Sequence, residues 1–289
     1  MIYWTEYTGH KPEIHGRKNK FDNTVYTFDI ETTSYIIFKD KLYQADKYQE
    51  LTKKEQEESI YGSCMYIWQF SINGIVYYGR TWQELQEFIK VLDEKVPVKK
   101  IVFIHNLSFE FQYLKGYFDF SEVIARKSHK VMKCKLKDYN IEFRCSYMMS
   151  NVALKQLPEI FNLPVKKMTG DLDYTKLRHF NTKLSKKELG YCENDCLVVY
   201  HYIRYEMETY KTVERLPLTS TGHVRRELKG QTSKDYGYKR VVARATNTDP
   251  VIYNRLVSAF AGGFTHSNWL YTSNIIGGVD SWDFTSSYP

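Results

Sequence analysis

Apolar residues recur in short runs through the first half of the chain, and several runs have the length and composition of β-strands. The clearest hairpin lies around Asn73-Gly74, because this pair supplies the positive φ angles that a type I′ turn requires. The predicted strand segments are 25–30, 65–72, 75–78 and 101–104, a hairpin over 122–136, and a strand at 140–145.

A second set of segments places apolar residues three and four positions apart, as on one face of a helix. Leu85, Phe88 and Ile89 show this spacing in the first such segment. Residues 1–23 predict a polar, irregular segment, and the Lys-, Gln- and Glu-rich residues 40–58 predict a solvated loop or short helix. The predicted helices cover 82–91, 108–118, 152–161 and 186–210.

The order of these elements predicts an α/β fold with an RNase H-like mixed sheet flanked by helices. Three strands, a helix and a further strand come first, and a long helix comes last. The helical pattern ends near Arg215, and the Pro, Ser, Thr and Gly residues that follow predict a domain boundary. We therefore expect one domain over 1–215 and the start of a second over 216–289.

The composition is that of a globular protein with a large core, since 43% of the 289 residues are hydrophobic. A net charge of +7 is by itself compatible with a solvated basic surface. Basic residues nevertheless cluster among aromatic ones, and this combination suits a nucleic acid. Basic side chains contact its phosphates, and aromatic side chains stack on its bases. The clusters are Lys99-Lys100, residues 126–130 with Lys133, Lys135 and Lys137, and residues 225–240.

Five cysteines without Cys-x-x-Cys spacing predict reduced thiols rather than a zinc site. Cys192 and Cys196 lie four residues apart, but no second Cys or His pair accompanies them. The amino terminus lacks the apolar run of a signal peptide, and no stretch approaches the ~18 consecutive apolar residues of a spanning helix. We expect a cytoplasmic protein without a membrane partner.

Acidic residues lie in one predicted strand and shortly after another, in a pattern that points to chemistry. Asp29 and Glu31 lie two residues apart in a strand and therefore share one face of the sheet. Glu110 follows the strand at 101–104, at the end of the segment His105-Asn106-Leu-Ser-Phe-Glu. An acid within an otherwise apolar strand is costly unless something compensates its charge.

The last predicted helix carries a further acid. Tyr191 and Asp195 lie one turn apart and share a face of that helix. Buried carboxylates repel one another unless a cation compensates them. Two divalent metal ions would do so, holding both the attacking and the leaving oxygen of a phosphodiester.

These three segments, in this order and on these element types, resemble the three exonuclease motifs of proofreading DNA polymerases. The segment from Asp283 to Pro289 is similar to the first catalytic motif of family B DNA polymerases, with Ser287 where Leu is usual. Phe260-Ala-Gly-Gly-Phe resembles a Tyr-x-Gly-Gly-Phe motif of the protein-primed branch, and Gly170-Asp-Leu-Asp-Tyr matches another segment of it. From about residue 24 the chain thus resembles a protein-primed family B DNA polymerase of phages and linear plasmids.

The resemblance implies roles for individual residues. Tyr191 would orient the attacking water, and Phe109 would stack on a base, which contributes ~1–3 kcal/mol. The single-strand contacts that it implies are His105, Asn106, Phe109 and Tyr174. The carboxylates that it implies as ligands of two Mg²⁺ or Mn²⁺ ions are Asp29, Glu31, Glu110 and Asp195, and Asp283 would bind the polymerase metals.

Two positions depart from the family pattern. Glu110 stands where Asp is usual, and its extra methylene lengthens its reach. Thr169 stands where the family places a catalytic Lys, while Lys166 and Lys167 lie shortly upstream. Either a neighbouring Lys substitutes for it, or stabilisation of the leaving phosphate is weakened.

We expect a 3′→5′ exonuclease acting on single-stranded DNA ends, which in the full enzyme proofreads and meets primer–template DNA and a terminal protein primer. Residues 216–289 would begin the polymerase palm. Polymerisation needs a second acidic motif and a templating helix, which the family places after the segment that ends at Pro289. We therefore expect a truncated product or a split gene, and no polymerisation from this chain alone.

Two alternatives remain open. One is a catalytically inert fragment that binds DNA or a terminal protein, and metal-dependent release of mononucleotides would distinguish it. The other is a free-standing RNase H-like nuclease or recombinase, which has no use for the segments around Gly262 and Asp283.

Overall fold

The computed structural model describes residues 1–166, 168, 172–173, 176–232, 235–246 and 249–259. The chain divides into two compact units, Met1–Arg225 and Arg226–Pro289. The domain boundary predicted at residue 216 stays a prediction, as does the palm assignment. The motifs at 260–264 and 283–289 lie outside the described residues.

A single mixed sheet forms the centre of the first unit. Its strand order is β1-β6-β5-β3-β7-β10-β9-β8, with β2 and β4 also paired to β3. The parallel pairs are β1–β6, β3–β7 and β7–β10, and the other pairs are antiparallel. The strands are β1 Ile2–Tyr3, β2 Ile14–His15, β3 Phe21–Phe38, β4 Lys41–Gln44, β5 Ile60–Ile72, β6 Ile75–Gly79, β7 Lys99–Ile104, β8 Phe120–Ala125, β9 Val131–Leu136 and β10 Ile141–Cys145.

Helices lie at the connections and at the carboxyl-terminal end of the described chain. The long helix α6 has the bounds that the apolar spacing predicts, and it begins with a capping box between Ser185 and Glu188. The helices are α1 Lys53–Glu58, α2 Trp82–Lys95, α3 Leu107–Leu114, α4 Ser146–Ser150, α5 Leu157–Ile160, α6 Lys186–Tyr210, α7 Ser220–Thr232, α8 Tyr236–Thr246 and α9 Pro250–Ala259.

Both faces of the sheet are covered, and the alternation of β3 assigns its residues to the two faces. Tyr26, Phe28 and Ile30 belong to a core that includes the buried residues of α2 and α3. Val25 belongs to a second core, with buried apolar residues from the second half of α6. The predicted α/β fold, a mixed sheet flanked by helices, is therefore confirmed.

The hairpin predicted around Asn73-Gly74 is confirmed as β5–β6. Asn73 and Gly74 have φ angles of 49° and 87°, which are the left-handed values that a type I′ turn needs. The strands on either side are directly paired from Ile72↔Ile75 outward.

Three segment predictions are right only in part. Residues 1–23 are not irregular throughout, because β1 pairs with β6 and β2 pairs with β3. Residues 40–58 contain a short helix without buried residues, α1, as predicted, but they also contain strand β4, which pairs with a β3 that is much longer than 25–30. The helix predicted over 152–161 is shorter and consists of a 3₁₀ turn, Leu154–Gln156, followed by the short α5. Pro158 near the start of α5 has no N–H to donate to a carbonyl one turn earlier, so a continuous helix cannot form there.

A buried carboxylate ties the amino-terminal segment to the start of β3. Asp22 is fully buried, and its Oδ1 accepts hydrogen bonds from the backbone N–H of Glu13 at 2.7 Å and the hydroxyl of Thr24 at 2.8 Å. Its Oδ2 accepts from the Tyr26 hydroxyl and lies 3.2 Å from His10 Nε2. Burial alone would raise the pKa of Asp22, but the hydrogen bonds from His10, Tyr26 and Thr24 outweigh it and hold the pKa well below its usual range.

No helix in the described part of the chain is long and apolar enough to span a bilayer.

We predict that Asp22→Asn lowers the free energy of unfolding by about 2–3 kcal/mol at pH 7, because an amide leaves buried donors unsatisfied. The carboxylate contributes its stability above the unfolded-state pKa of about 3.9, and that contribution is lost as pH falls toward the depressed folded-state pKa. The difference between wild type and variant should therefore be constant from pH 7 to about pH 5 and shrink below about pH 4.

Urea denaturation across this pH range measures the effect. Asp138→Asn, at an exposed position, is the matched control and should change little. A wild-type–variant difference that stays the same down to pH 3 would contradict the assignment.

Candidate metal centre

The centre begins with two carboxylates on β3. Asp29 and Glu31 lie two residues apart, on the α6 face of the sheet, opposite in direction to the core residues Phe28 and Ile30. Glu31 is only 6% exposed. A β-bulge directly after it, between Glu31 and Thr32, interrupts the pairing of β3 with β5.

Helix α6 supplies the third carboxylate. Asp195 is 7% exposed and faces the sheet because α6 packs directly on β3. The contact includes a hydrogen bond of 3.1 Å that the Thr27 hydroxyl donates to the Cys196 carbonyl. Cys196 follows Asp195, and Thr27 lies two residues before Asp29. This hydrogen bond therefore holds the two acidic positions close to each other.

Asp29, Glu31 and Asp195 come together closely. Each offers one carboxylate oxygen, and these oxygens all lie within 4.8 Å of one another. Three partly or fully buried carboxylates at this separation repel one another, so a cation stabilises the cluster. An all-oxygen donor set is the kind that hard divalent cations prefer, so this triad can hold a metal ion.

Glu110 lies in the first turn of α3 and lines the same cavity. It is 3% exposed, and its Oε2 has no hydrogen-bond partner among the described residues. Burial raises the pKa of the Glu110 carboxyl well above its usual range, and the negative charges of Asp29 and Glu31 raise it further. A buried oxygen without a donor fits a position where a cation would bind.

The four carboxylate side chains line a cavity of about 480 Å³. One wall comes from residues 33–63, which we call the arm and which contain the end of β3 and the start of β5 together with β4 and α1. Gln44, Ala45 and Asp46 of the arm line the cavity. The sequence prediction missed this wall, although the β-branched and aromatic residues over 32–38 were a signal for a longer strand.

Of the predicted DNA contacts, Phe109 lines the cavity. It is 41% exposed, so its ring is accessible to a ligand. Asn106 lies at the start of α3, with a left-handed φ of 72°, and its carbonyl accepts a hydrogen bond of 2.8 Å from the Phe109 N–H. Asn106 itself does not line the cavity.

His105 faces away from the cavity lining, toward α4. Its Nδ1 lies 3.0 Å from the Ser146 hydroxyl, and its ring packs edge-on against Tyr147. Burial lowers the pKa of His105 to about 4, so the imidazole is neutral near pH 7. His105 therefore joins the end of β7 to α4 and does not line the cavity.

Tyr191 lies one turn before Asp195 and is 8% exposed. The structure thus places it beside the triad, and its role in orienting water stays a prediction. Tyr174, Thr169 and Asp283 lie outside the described residues.

Two residues near the centre escaped the sequence analysis. Asn194, next to Asp195, accepts a hydrogen bond of 2.8 Å from the Met168 N–H and donates one of 2.9 Å to the Lys166 carbonyl. Arg178 is 4% exposed and pairs with Glu188 at 2.7 Å. Both hold the loop before α6 against the helix, and a polar residue by itself gives no sequence signal for its distant partner.

No family model and no curated protein matches the sequence. The fold is similar to that of Phi29 DNA polymerase complexed with primer–template DNA (post-translocation binary complex), with a TM-score of 0.57 and 15% identity over 86% of this chain. The ternary complex of Phi29 DNA polymerase with primer–template DNA and incoming nucleotide gives a TM-score of 0.55 and 15% identity over 87% of this chain. The chain spans 41% of the length of each. At this identity the likeness concerns the fold.

We predict that Mn²⁺ raises the melting temperature of the wild-type chain above its value in chelator. A ligand that binds only the folded state contributes about 2.7 kcal/mol at a concentration of 100 Kd. The double substitution Asp29→Asn with Asp195→Asn should abolish the increase, because it removes two of the three charges that attract the ion. Scanning calorimetry with and without Mn²⁺ measures this.

Glu57→Gln removes an exposed charge on α1 and serves as the control, which should keep the full increase. An increase of equal size in the double variant would show that the cation binds elsewhere.

Proposed function

We propose that this chain is the 3′→5′ exonuclease portion of a protein-primed family B DNA polymerase and hydrolyses the 3′ ends of single-stranded DNA. The observation that carries the proposal is the convergence of Asp29, Glu31 and Asp195, from β3 and α6, within 4.8 Å. A similar fold in Phi29 DNA polymerase and the order of the acidic segments support the same proposal.

Asp29, Glu31 and Asp195 would hold Mg²⁺ or Mn²⁺, with Glu110 as a further ligand. When bound, such ions supply charge stabilisation to a phosphodiester and activate water as a nucleophile. The buried Glu110 oxygen without a hydrogen-bond donor fits this assignment. The carboxylates would hold the ions in position, and the two cores on either face of β3 keep the carboxylates in place.

Two aromatic residues have proposed roles in holding the substrate. Phe109, exposed in the cavity wall, stacks on a terminal base, which contributes ~1–3 kcal/mol. Tyr191, one turn before Asp195, orients the attacking water with its hydroxyl. Asn106 and Tyr174 remain proposed strand contacts, and His105 acts by positioning the start of α3.

The arm gives the site its preference for a single strand. A cavity of about 480 Å³, closed on one side by Gln44, Ala45 and Asp46, has a volume within the range of small-molecule pockets. A frayed 3′ end enters such a cavity more readily than a duplex end does.

The wider assignment covers the partners of the full enzyme. Primer–template DNA and a terminal protein primer are the partners that the family resemblance suggests, and residues 216–289 would begin the palm with Asp283 as a polymerase metal ligand.

We predict that the purified chain shortens a 5′-labelled single-stranded oligonucleotide one nucleotide at a time from its 3′ end, and only with Mg²⁺ or Mn²⁺. The double substitution Asp29→Ala with Glu31→Ala should lower the rate by about 10³-fold or more, since bound metal contributes several kcal/mol to the transition state. Affinity for the oligonucleotide should stay within a few-fold, because Lys and Arg contacts supply most of it.

Gel electrophoresis of the products measures the rate, with Glu87→Gln, at an exposed position on α2, as the control. Hydrolysis that persists in excess chelator, or in the double variant, would refute the site. Binding of DNA without any metal-dependent release of mononucleotides would favour the inert binding fragment instead.

A second prediction concerns the arm. Ile37 and Ile60 are directly paired, so residues 38–59 can be replaced by Asn-Gly to give a two-residue hairpin between β3 and β5. If the arm excludes duplex ends, the ratio of duplex-end to single-strand hydrolysis should rise by about tenfold or more, equivalent to ~1.4 kcal/mol.

Parallel digestions of a blunt duplex and its isolated labelled strand measure this ratio. An unchanged ratio in a shortened chain that still digests single strands would show that the arm does not select the substrate.

A further inference from the structure

A second cavity of about 680 Å³ lies in the first compact unit, and its lining is basic. Three cations come from the β8–β9 turn, and a fourth comes from the start of α7. We call this cavity the basic groove; its cations are Arg126, Lys127, Lys130 and Arg225, and its other lining includes Tyr147 and Asn151.

The turn that carries three of these cations has a defined backbone. The Arg126 N–H donates to the Lys130 carbonyl at 3.0 Å, and the Lys130 N–H donates to the Lys127 carbonyl at 3.0 Å. His129 takes a left-handed φ of 57° to close it. The three side chains are exposed to solvent, and the hydrogen bonds of the turn fix the backbone that carries them.

The cations of the groove have no counter-charge among the residues that the structure describes. No Asp or Glu lines it, and none of its four cations forms an ion pair within the described part of the chain. Lys133 on the adjoining strand differs, since it pairs with Glu122 at 3.2 Å and Glu142 at 3.7 Å. Four like charges without counter-charges repel one another, and a polyanion would relieve that repulsion.

The groove adjoins the elements that build the metal centre. Tyr147 in its lining packs against His105, the second residue before α3, at a ring separation of 5.7 Å. The Val131 N–H, next to Lys130, donates to the Ser108 hydroxyl of α3 at 2.8 Å. Helix α3 also carries Phe109 and therefore connects groove and cavity.

We propose that the basic groove binds the phosphodiester backbone of a nucleic acid strand. Four positive charges exceed the charge of about −2 of one phosphate monoester, so a run of phosphates matches them better than a single ion does. Tyr147 and Met148 offer partly exposed apolar surface to sugars or bases beside the phosphates. The choice of DNA as the strand rests on the proposed function.

The test uses the full chain and a fluorescent dT₂₀ oligonucleotide in chelator, so that no hydrolysis occurs. The turn variant combines Arg126→Gln, Lys127→Gln and Lys130→Gln. Its affinity at 100 mM salt should fall by about 10- to 100-fold, and the slope of log K against log salt should become shallower by about 2, as expected for three lost phosphate contacts.

The matched control combines Lys90→Gln, Lys95→Gln and Lys115→Gln, which removes the same charge at exposed positions outside the groove. A turn variant that binds as tightly as this control, with the same salt slope, would overturn the proposal. If the turn variant does not fold, judged by circular dichroism, Arg225→Gln alone should give about a third of the change in slope, and no change would overturn the proposal.

Two further outcomes separate the hypotheses. A wild-type chain that binds dT₂₀ through the groove but never hydrolyses it with Mn²⁺ would refute the exonuclease and leave the groove intact. Poly-glutamate that competes with dT₂₀ as well as unlabelled dT₂₀ does would overturn the groove's assignment to nucleic acid and indicate an acidic protein partner.

Discussion

The packing of α6 on β3 is the contact on which the candidate site depends. The Thr27 hydroxyl and the Cys196 carbonyl join these elements directly, and the join lies beside both acidic positions. Because side chains alternate along a strand, the same contact that buries Val25 turns Asp29 and Glu31 toward α6. The packing of α6 on β3 therefore brings the carboxylates together although they repel one another. The free energy that the apolar cores on both faces of the sheet contribute to folding exceeds the cost of this repulsion.

Two buried carboxylates, Glu110 and Asp22, differ in whether their oxygens find hydrogen-bond donors. Glu110 is buried with an oxygen that has no donor in the described structure, whereas the buried Asp22 has several donors. Both are carboxylates in the same unit, yet hydrogen bonds hold the pKa of Asp22 down while burial drives that of Glu110 up. A satisfied buried acid serves the fold, and an unsatisfied one among other acids indicates a place for a cation.

The cavity with the acidic residues and the basic groove both lie next to helix α3. The cavity beside α3 contains carboxylates that would repel phosphate unless a cation is bound, while the proposed basic groove attracts phosphate in any case. A strand held in the groove would therefore stay associated when the metal centre is empty. Affinity and hydrolysis would then depend on different residues, which is why they can be separated by substitution.

Local sequence determined those features that depend on neighbouring residues. The bounds of α6, the Asn73-Gly74 hairpin and the shared face of Asp29 and Glu31 follow from helical spacing, turn chemistry and strand alternation. Tertiary structure alone decided the pairing of Ile2–Tyr3 with β6, the position of the arm beside the cavity and the separation of Asp195 from Asp29. These features arise from contacts between residues far apart in the chain, and the periodicity of a short segment carries no information about which distant segment it will meet.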